Sequence, residues 1–317
     1  MSIKTIDVHS HFILPVYIDG LAKAGICAAK EDGFPTPTWS VESHLQYMDE
    51  AEIELSILSL STPHIHFGND KAACELARSI NEETAIIRDK HPDRFRFAAC
   101  LPMPDIAGSI EEVSYAFDVL KADGVKVASN SHGIYLGDPK FDPLFAELNK
   151  RKAVMIIHPS KPQSVPENVF TAGVAPLFEY IADTTRAVIN LITSGTIERY
   201  PDIKIIVPHC GSFLPFVAHR LIGISEVLVS KGSMSPVNVT ENISKLYFDI
   251  AGDALPVALE GLMKIADTQK IMYGGDFPYT PAPIVIRKKQ ALMEHPLLAP
   301  IKQDVFYNNA LRIFGKN

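Results

Sequence analysis

The chain has 317 residues, 47% of them hydrophobic and 21% charged, enough apolar material for a large buried core. Against 30 basic residues stand 37 acidic ones, and the resulting net charge of −7 has the wrong sign for a nucleic acid or an anionic membrane as partner. The four cysteines, Cys27, Cys74, Cys100 and Cys210, are widely spaced and form no CxxC pair, so they point to neither a disulfide framework nor a thiolate zinc knuckle. They fit a reducing compartment. With no apolar leader at the N-terminus and no uncharged apolar run of about 18 residues, the expected location is the cytoplasm.

Along the chain, short apolar runs rich in β-branched residues recur at 5–9, 54–60, 95–101, 124–128, 153–158, 203–208, 246–250 and 271–273. Their near-continuous apolar character predicts parallel strands covered on both faces. After the first run, residues 20–39 read as an inserted loop, with Gly33, Pro35 and Pro37. Residues 69–90 predict an amphipathic helix: Asn69 or Asp70 caps it, Ala73, Leu76, Ala77, Ile80 and Ile87 share one side, and Pro92 stops it. Asp142 and Pro143 read as a cap followed by proline in the first helical position, opening a helix that ends near Lys152. Leu177, Ile181, Val188, Leu191 and Ile192 mark a longer helix ahead of Pro201, and a final helix is expected at the C-terminus. Eight strands alternating with helices predict an α/β fold, a (β/α)8 TIM barrel spanning 1–317 as one domain. No GxGxxG or GxxxxGK[ST] segment follows a strand, which removes the usual reason to prefer a doubly wound open sheet.

The chemistry-bearing residues fall at the ends of these strands. His9 and His11 are two residues apart, so on an extended chain both imidazoles face the same side. His158 ends the fifth run, His209 follows the sixth, and Asp276 follows the eighth. Imidazoles with one carboxylate suit Zn²⁺, Mn²⁺ or a similar cation with a position left open for water or substrate. A second HxH pair, His64 and His66, lies beyond the second run and reads equally as pocket mouth or as solvated loop. Cys210, beside His209, reads as a small buried thiol pointing the other way along a strand.

The segments Ile-Asp-Val-His9-Ser-His11, Ile-His158-Pro, Pro-His209-Cys-Gly-Ser-Phe-Leu-Pro-Phe-Val-Ala-His-Arg220 and Tyr-Gly-Gly-Asp276-Phe-Pro together resemble the amidohydrolase superfamily. The branch they resemble is that of aminocarboxymuconate-semialdehyde decarboxylase and the aromatic-acid decarboxylases. The stretch 124–137 and His158-Pro159 are more similar to salicylate-type decarboxylases, the 6-methylsalicylate enzymes among them. The resemblance implies one divalent ion, Zn²⁺ before Mn²⁺, held by His9, His11, His158 and Asp276, with His209 beside it as catalytic base or substrate-orienting group. It implies a non-oxidative decarboxylase, a carbon–carbon lyase, acting on a small aromatic or ene-type carboxylic acid. An ortho-hydroxybenzoate such as a substituted salicylate ranks first, with Asp276 supplying the ring proton. The alternative on the same site is a metal-dependent hydrolase or hydratase of an amide, ester or lactone.

In the aminocarboxymuconate branch an arginine upstream of a tryptophan clamps the substrate. This chain has Trp39 but no arginine before Arg78, which places an ortho-hydroxybenzoate above an aminocarboxymuconate. A second clamp arginine, entering from a neighbouring subunit, is matched by Arg220, which implies a homodimer or higher oligomer. Lys126 matches the lysine that two-metal relatives carry carbamylated; in a one-metal branch it is expected to be an ordinary strand-end lysine.

Overall fold

The eight apolar runs form strands because each is buried on both faces, and residues of this shape fit a pleated surface covered from either side. In a computed structural model that describes residues 3–27, 32–166, 168–170 and 173–315, they are β1 (Ile6–Phe12), β2 (Leu55–Leu60), β3 (Phe95–Cys100), β4 (Gly124–Ala128), β5 (Val154–His158), β6 (Lys204–Val207), β7 (Tyr247–Asp249) and β8 (Ile271–Met272). They pair in that order, every pair parallel. The first strand then meets the chain leaving the last: Val8 N–H donates to Tyr273 O at 3.0 Å and His11 N–H to Phe277 O at 2.8 Å. The sheet is therefore closed as a barrel, as the strand count predicts.

Helices cover it: α1 (Pro15–Lys23), α2 (Val41–Glu50), α3 (Asp70–Lys90), α4 (Ile106–Asp118), α5 (Asp142–Lys150), α6 (Glu179–Thr193), α7 (Thr196–Arg199), α8 (Leu214–Ser230), α9 (Val239–Lys245), α10 (Ala258–Met263), α11 (Ala282–Glu294) and α12 (Asn309–Phe314). The cap of α3 is Asn69, whose Oδ1 accepts from Ala72 N–H at 2.9 Å. Two local readings change. Pro139–Phe141 form a short 3₁₀ turn whose cap is Asp138, so Asp142 is already helical and is not the cap. Within the expected loop 20–39, Gly20 to Lys23 belong to α1, and 28–31 lie outside the described residues. No helix among the described residues is long and apolar enough to cross a membrane.

Two apolar layers make the core. Ile6, Val8, Leu55, Ile57, Val154, Ile156 and Ile206 fill the barrel, with Phe314 of α12 closing that cluster. Leu58, Leu60, Val125, Val127, Met155 and Ile157 face outward against Ala77, Ile80, Leu144 and Val188 of the helices. A fully buried side chain of this kind stabilises by ~1.5–3 kcal/mol.

The alternation is broken once, and the break serves the site. Asp7 pairs with Ser56 but Ser10 pairs with Leu58, three residues of β1 against two of β2. The bulge turns His9 and His11 inward after Ile6 and Val8, re-aiming side chains as bulges do beside active sites. Asp7, now facing the other way and fully buried, accepts from His9 N–H (3.0 Å), Gly275 N–H (2.9 Å), Ser10 Oγ (2.9 Å) and Tyr47 Oη (3.1 Å). It ties β1 to α2 and to the segment that carries Asp276.

Candidate metal centre

Three imidazoles converge where β1 and β5 end. The ring centroids of His9 and His11 are 4.9 Å apart, those of His11 and His158 4.8 Å, and those of His9 and His158 5.8 Å. Each Nδ1 sits on an acceptor: His9 on Asp249 Oδ2 (2.8 Å), His11 on Ser59 O (3.2 Å), His158 on Pro159 O (3.0 Å). These contacts place the proton on Nδ1 and turn the Nε2 lone pairs inward, the arrangement that prepares histidine for a cation. The Nε2 atoms of His9 and His11 are buried and have no hydrogen-bond partner. An orphaned buried nitrogen is costly, and two facing the same point are the best evidence that a cation belongs there.

Asp276 completes the set. Its Oδ1 lies 3.2 Å from His11 Nε2 and 3.5 Å from His9 Nε2. The three residues that lead from β8 to it are Tyr273, Gly274 and Gly275, and at the two glycines a Cβ would come within 2.8 Å of His9 Cβ and 2.6 Å of Asp7 Oδ2; only glycine passes. Asp276 has φ 63° and its N–H donates to His9 O at 2.7 Å, so a strained backbone is held by the strand it serves. Burial pushes the Asp276 carboxyl up, but the imidazoles of His11 and His9 beside it outweigh this and hold the group ionised, well below the usual carboxylate range. Burial alone pushes His9 down; Asp249 on one nitrogen and Asp276 on the other outweigh it and hold its pKa well above the usual imidazole value. A cation at Nε2 answers the same negative charge. His11 and His158 are pushed down, by burial first. The chemistry of this donor set fits one divalent ion bound by His9, His11, His158 and Asp276.

His209 stands next to them, its ring centroid 4.9 Å from that of His9. It does not end a strand: β6 stops at Val207, and His209, Cys210, Gly211 and Ser212 all take positive φ. Asp249 Oδ1 accepts its N–H at 3.0 Å, and its Nδ1 is buried without a partner. Burial pushes its pKa down, which keeps the ring neutral. Because of this left-handed turn, the strand-alternation argument for Cys210 does not apply; Cys210 is buried by the turn itself, and burial pushes its thiol up.

The site opens into a cavity of about 530 Å³ lined by His158, His209, Asp276, Tyr279 and, around them, Phe34, Leu177, Ile181 and Phe213. Lys288 is the one lysine or arginine on this wall among the described residues, and Asp253 holds its Nζ at 2.9 Å.

Other expected residues lie elsewhere. Trp39 donates from Nε1 to His44 Nδ1 at 2.9 Å and does not line the cavity, and Arg220 is exposed on α8, also outside it. Lys126 is buried, donates to His64 Nδ1, and has its pKa pushed down to about 7 by burial. His66 meets His132 (2.9 Å) and Asp70 (2.7 Å), and with His64 lines a neighbouring cavity of about 620 Å³. Sequence reasoning missed Asp249, which ends β7 in the run Tyr-Phe-Asp. A strand-end carboxylate in a barrel with strand-end histidines is the signal that marks it.

A parallel barrel with this ligand cluster at the carboxyl ends of its strands defines a metal-site (β/α)8 enzyme scaffold, and the chain belongs to the amidohydrolase family, whose sequence profile matches residues 6–316. Among its relatives, a 6-methylsalicylic acid decarboxylase of Penicillium expansum is 33% identical over 98% of this chain and 96% of its own length. Decarboxylase yanB of Aspergillus niger is 38% identical over 91% of this chain and 81% of its own. Among solved structures, an amidohydrolase II is 34% identical and superposes with a TM-score of 0.92, covering 98% of this chain and 100% of that one. Both named relatives are decarboxylases.

Proposed function

We propose that the chain is a metal-dependent, non-oxidative decarboxylase of a small aromatic carboxylic acid, with an ortho-hydroxybenzoate as its substrate class. The observation that carries this reading is the set of inward-facing Nε2 atoms with Asp276 at the base of a largely apolar cavity sized within the ~300–1,000 Å³ of small-molecule sites. A divalent ion held by His9, His11, His158 and Asp276, zinc before manganese for imidazoles with one carboxylate, would supply positive charge that stabilises the anionic oxygens of the acid.

The chain's own groups then handle one proton. Asp276, ionised at rest, takes the proton of the ortho hydroxyl as the acid binds and delivers it to the ring carbon that bears the carboxylate. The C–C bond breaks, CO₂ leaves, and the bonding electrons return to the ring. His209, neutral and without a partner at Nδ1, orients the carboxylate. The apolar walls hold the ring and exclude water. The four cysteines are free, which supports a reducing, cytoplasmic setting.

The test is CO₂ release from substituted salicylates, run beside a panel of amides, esters and lactones. Release from at least one salicylate is expected. Turnover of a lactone or amide with no CO₂ from any acid overturns the decarboxylase reading in favour of a hydrolase.

The oligomer belongs to this proposal. Phe216, Ile224, Val227 and Leu228 are exposed on α8 at 59%, 47%, 47% and 37%, and helical spacing puts Arg220 in their stripe. An apolar stripe of this kind on a surface helix suits a second copy of the chain. It would carry Arg220 toward the partner's cavity, where the wall's own lysine is already paired. In an exchanged mixture of inactive Arg220→Ala and inactive His209→Ala chains, half the dimers are mixed and each has one intact site, so about a quarter of wild-type activity is expected. A monomer by light scattering, or no recovery despite proven exchange, would falsify it.

A further inference from the structure

The decarboxylase reading gives no task to the Asp32 carboxylate on the cavity wall. Asp32 lines the cavity, is buried at 5% exposure, and accepts from Thr62 Oγ1 at 3.3 Å. Its place relative to the metal centre follows from the chain. Ser61 Oγ lies 3.4 Å from His158 Nε2, and Thr62 is the next residue, ~3.8 Å further along the backbone. Asp32, one hydrogen bond beyond Thr62, therefore stands on the cavity wall next to the segment that meets His158. Tyr180 and Tyr279 line the same region. Burial first, then the Asp32 charge at Tyr180 and the Asp276 and Asp32 charges at Tyr279, keep both hydroxyls protonated, Tyr279 with a pKa pushed up to about 12. Thr62 and Asp32 also line the neighbouring cavity of about 620 Å³, so the pair forms the partition between the two.

A carboxylate can only accept. On a wall that also carries Phe34, Leu177 and Phe213, it favours a ligand hydroxyl over a methyl group. We propose that Asp32 and Thr62 form a ring-hydroxyl subsite: the aromatic acid carries a further hydroxyl at a position that does not flank its carboxylate, and Asp32 selects that donor. The proposal rests on the decarboxylase reading for the identity of the acid, and on the partition alone for the polarity of the subsite. Asp32 is thus a specificity-determining residue.

Calorimetric titration tests it on metal-loaded and metal-free protein, with 2-hydroxybenzoates bearing either a hydroxyl or a methyl at ring positions 3, 4 and 5. CO₂ release is measured alongside. At one position the wild-type chain is expected to bind the hydroxyl compound at least ~10-fold more tightly than its methyl counterpart, the scale of one charge-assisted hydrogen bond. In Asp32→Asn, which keeps the shape and loses the charge, and in Asp32→Ala, that ratio is expected to fall below about threefold. Each methyl compound serves as the internal reference within its own variant, and if Asp32→Ala does not fold the asparagine variant carries the comparison. An unchanged ratio in the folded variants, no position with a hydroxyl preference, or no binding of any compound overturns the subsite. A hydroxyl preference that depends on Asp32 without any CO₂ release supports the subsite and sinks the decarboxylase reading. CO₂ release without the preference does the reverse.

Discussion

His158→Ala, like His9→Ala or His11→Ala, is expected to abolish stoichiometric metal binding and reduce kcat by on the order of 10³-fold or more, since several kcal/mol of charge stabilisation leave with the ion. The wild-type chain is expected to hold one divalent ion, read by elemental analysis after dialysis. Each of the three histidines is committed through Nδ1 to a fixed acceptor, so the two that remain cannot turn to replace a lost Nε2. The same logic grades Asp249→Asn: the amide still accepts a hydrogen bond but no longer offers His9 a full charge, and metal affinity is expected to fall by about 10–100-fold in a chelator competition. Retention of a full ion by all three histidine variants would remove the ligand assignment. Two ions per chain, with a carbamate on Lys126, would replace it with a two-metal site.

What the sequence revealed and what it concealed differ in range. Strands were legible because an apolar, β-branched run carries its own burial pattern, and β4 was read with its observed bounds. The end of helix α1, from Gly20 to Lys23, was read as loop because Gly20 is a weak helix former and the N-cap Leu14 makes no side-chain cap bond; the helix is held by packing Tyr17 and Leu21 into the core. The proposed ligand residues were visible as strand-end histidines and a carboxylate. Asp249 was not, because its meaning depends on His9, 240 residues away in the chain. The bulge at Asp7–Ser10 was equally hidden, although spacing alone already put His9 and His11 on one face. Trp39 and Arg220 came from family resemblance, and folding puts neither on the wall of this chain's own cavity.

His209→Ala is expected to keep its ion while losing ~10²-fold or more in kcat, the scale of a positioned proton-handling group. The turn that carries His209 argues for this division of labour. Four consecutive residues with positive φ, three of them not glycine, cost of order 1–3 kcal/mol each unless the surroundings impose them. Asp249 imposes part of it by taking the His209 N–H with one oxygen while the other fixes His9. One carboxylate thus sets the distance between a ligand ring and the ring beside it, which matters for a residue that must touch substrate. The rival assignment has geometry behind it, since His9, His209 and Asp276 also offer atoms within 4.8 Å of one another. Elemental analysis of the variant separates the two. Full metal content with low kcat leaves His209 as a substrate-facing group; loss of the ion, with turnover regained in excess metal, makes His209 a ligand and moves the open position to another side of the centre.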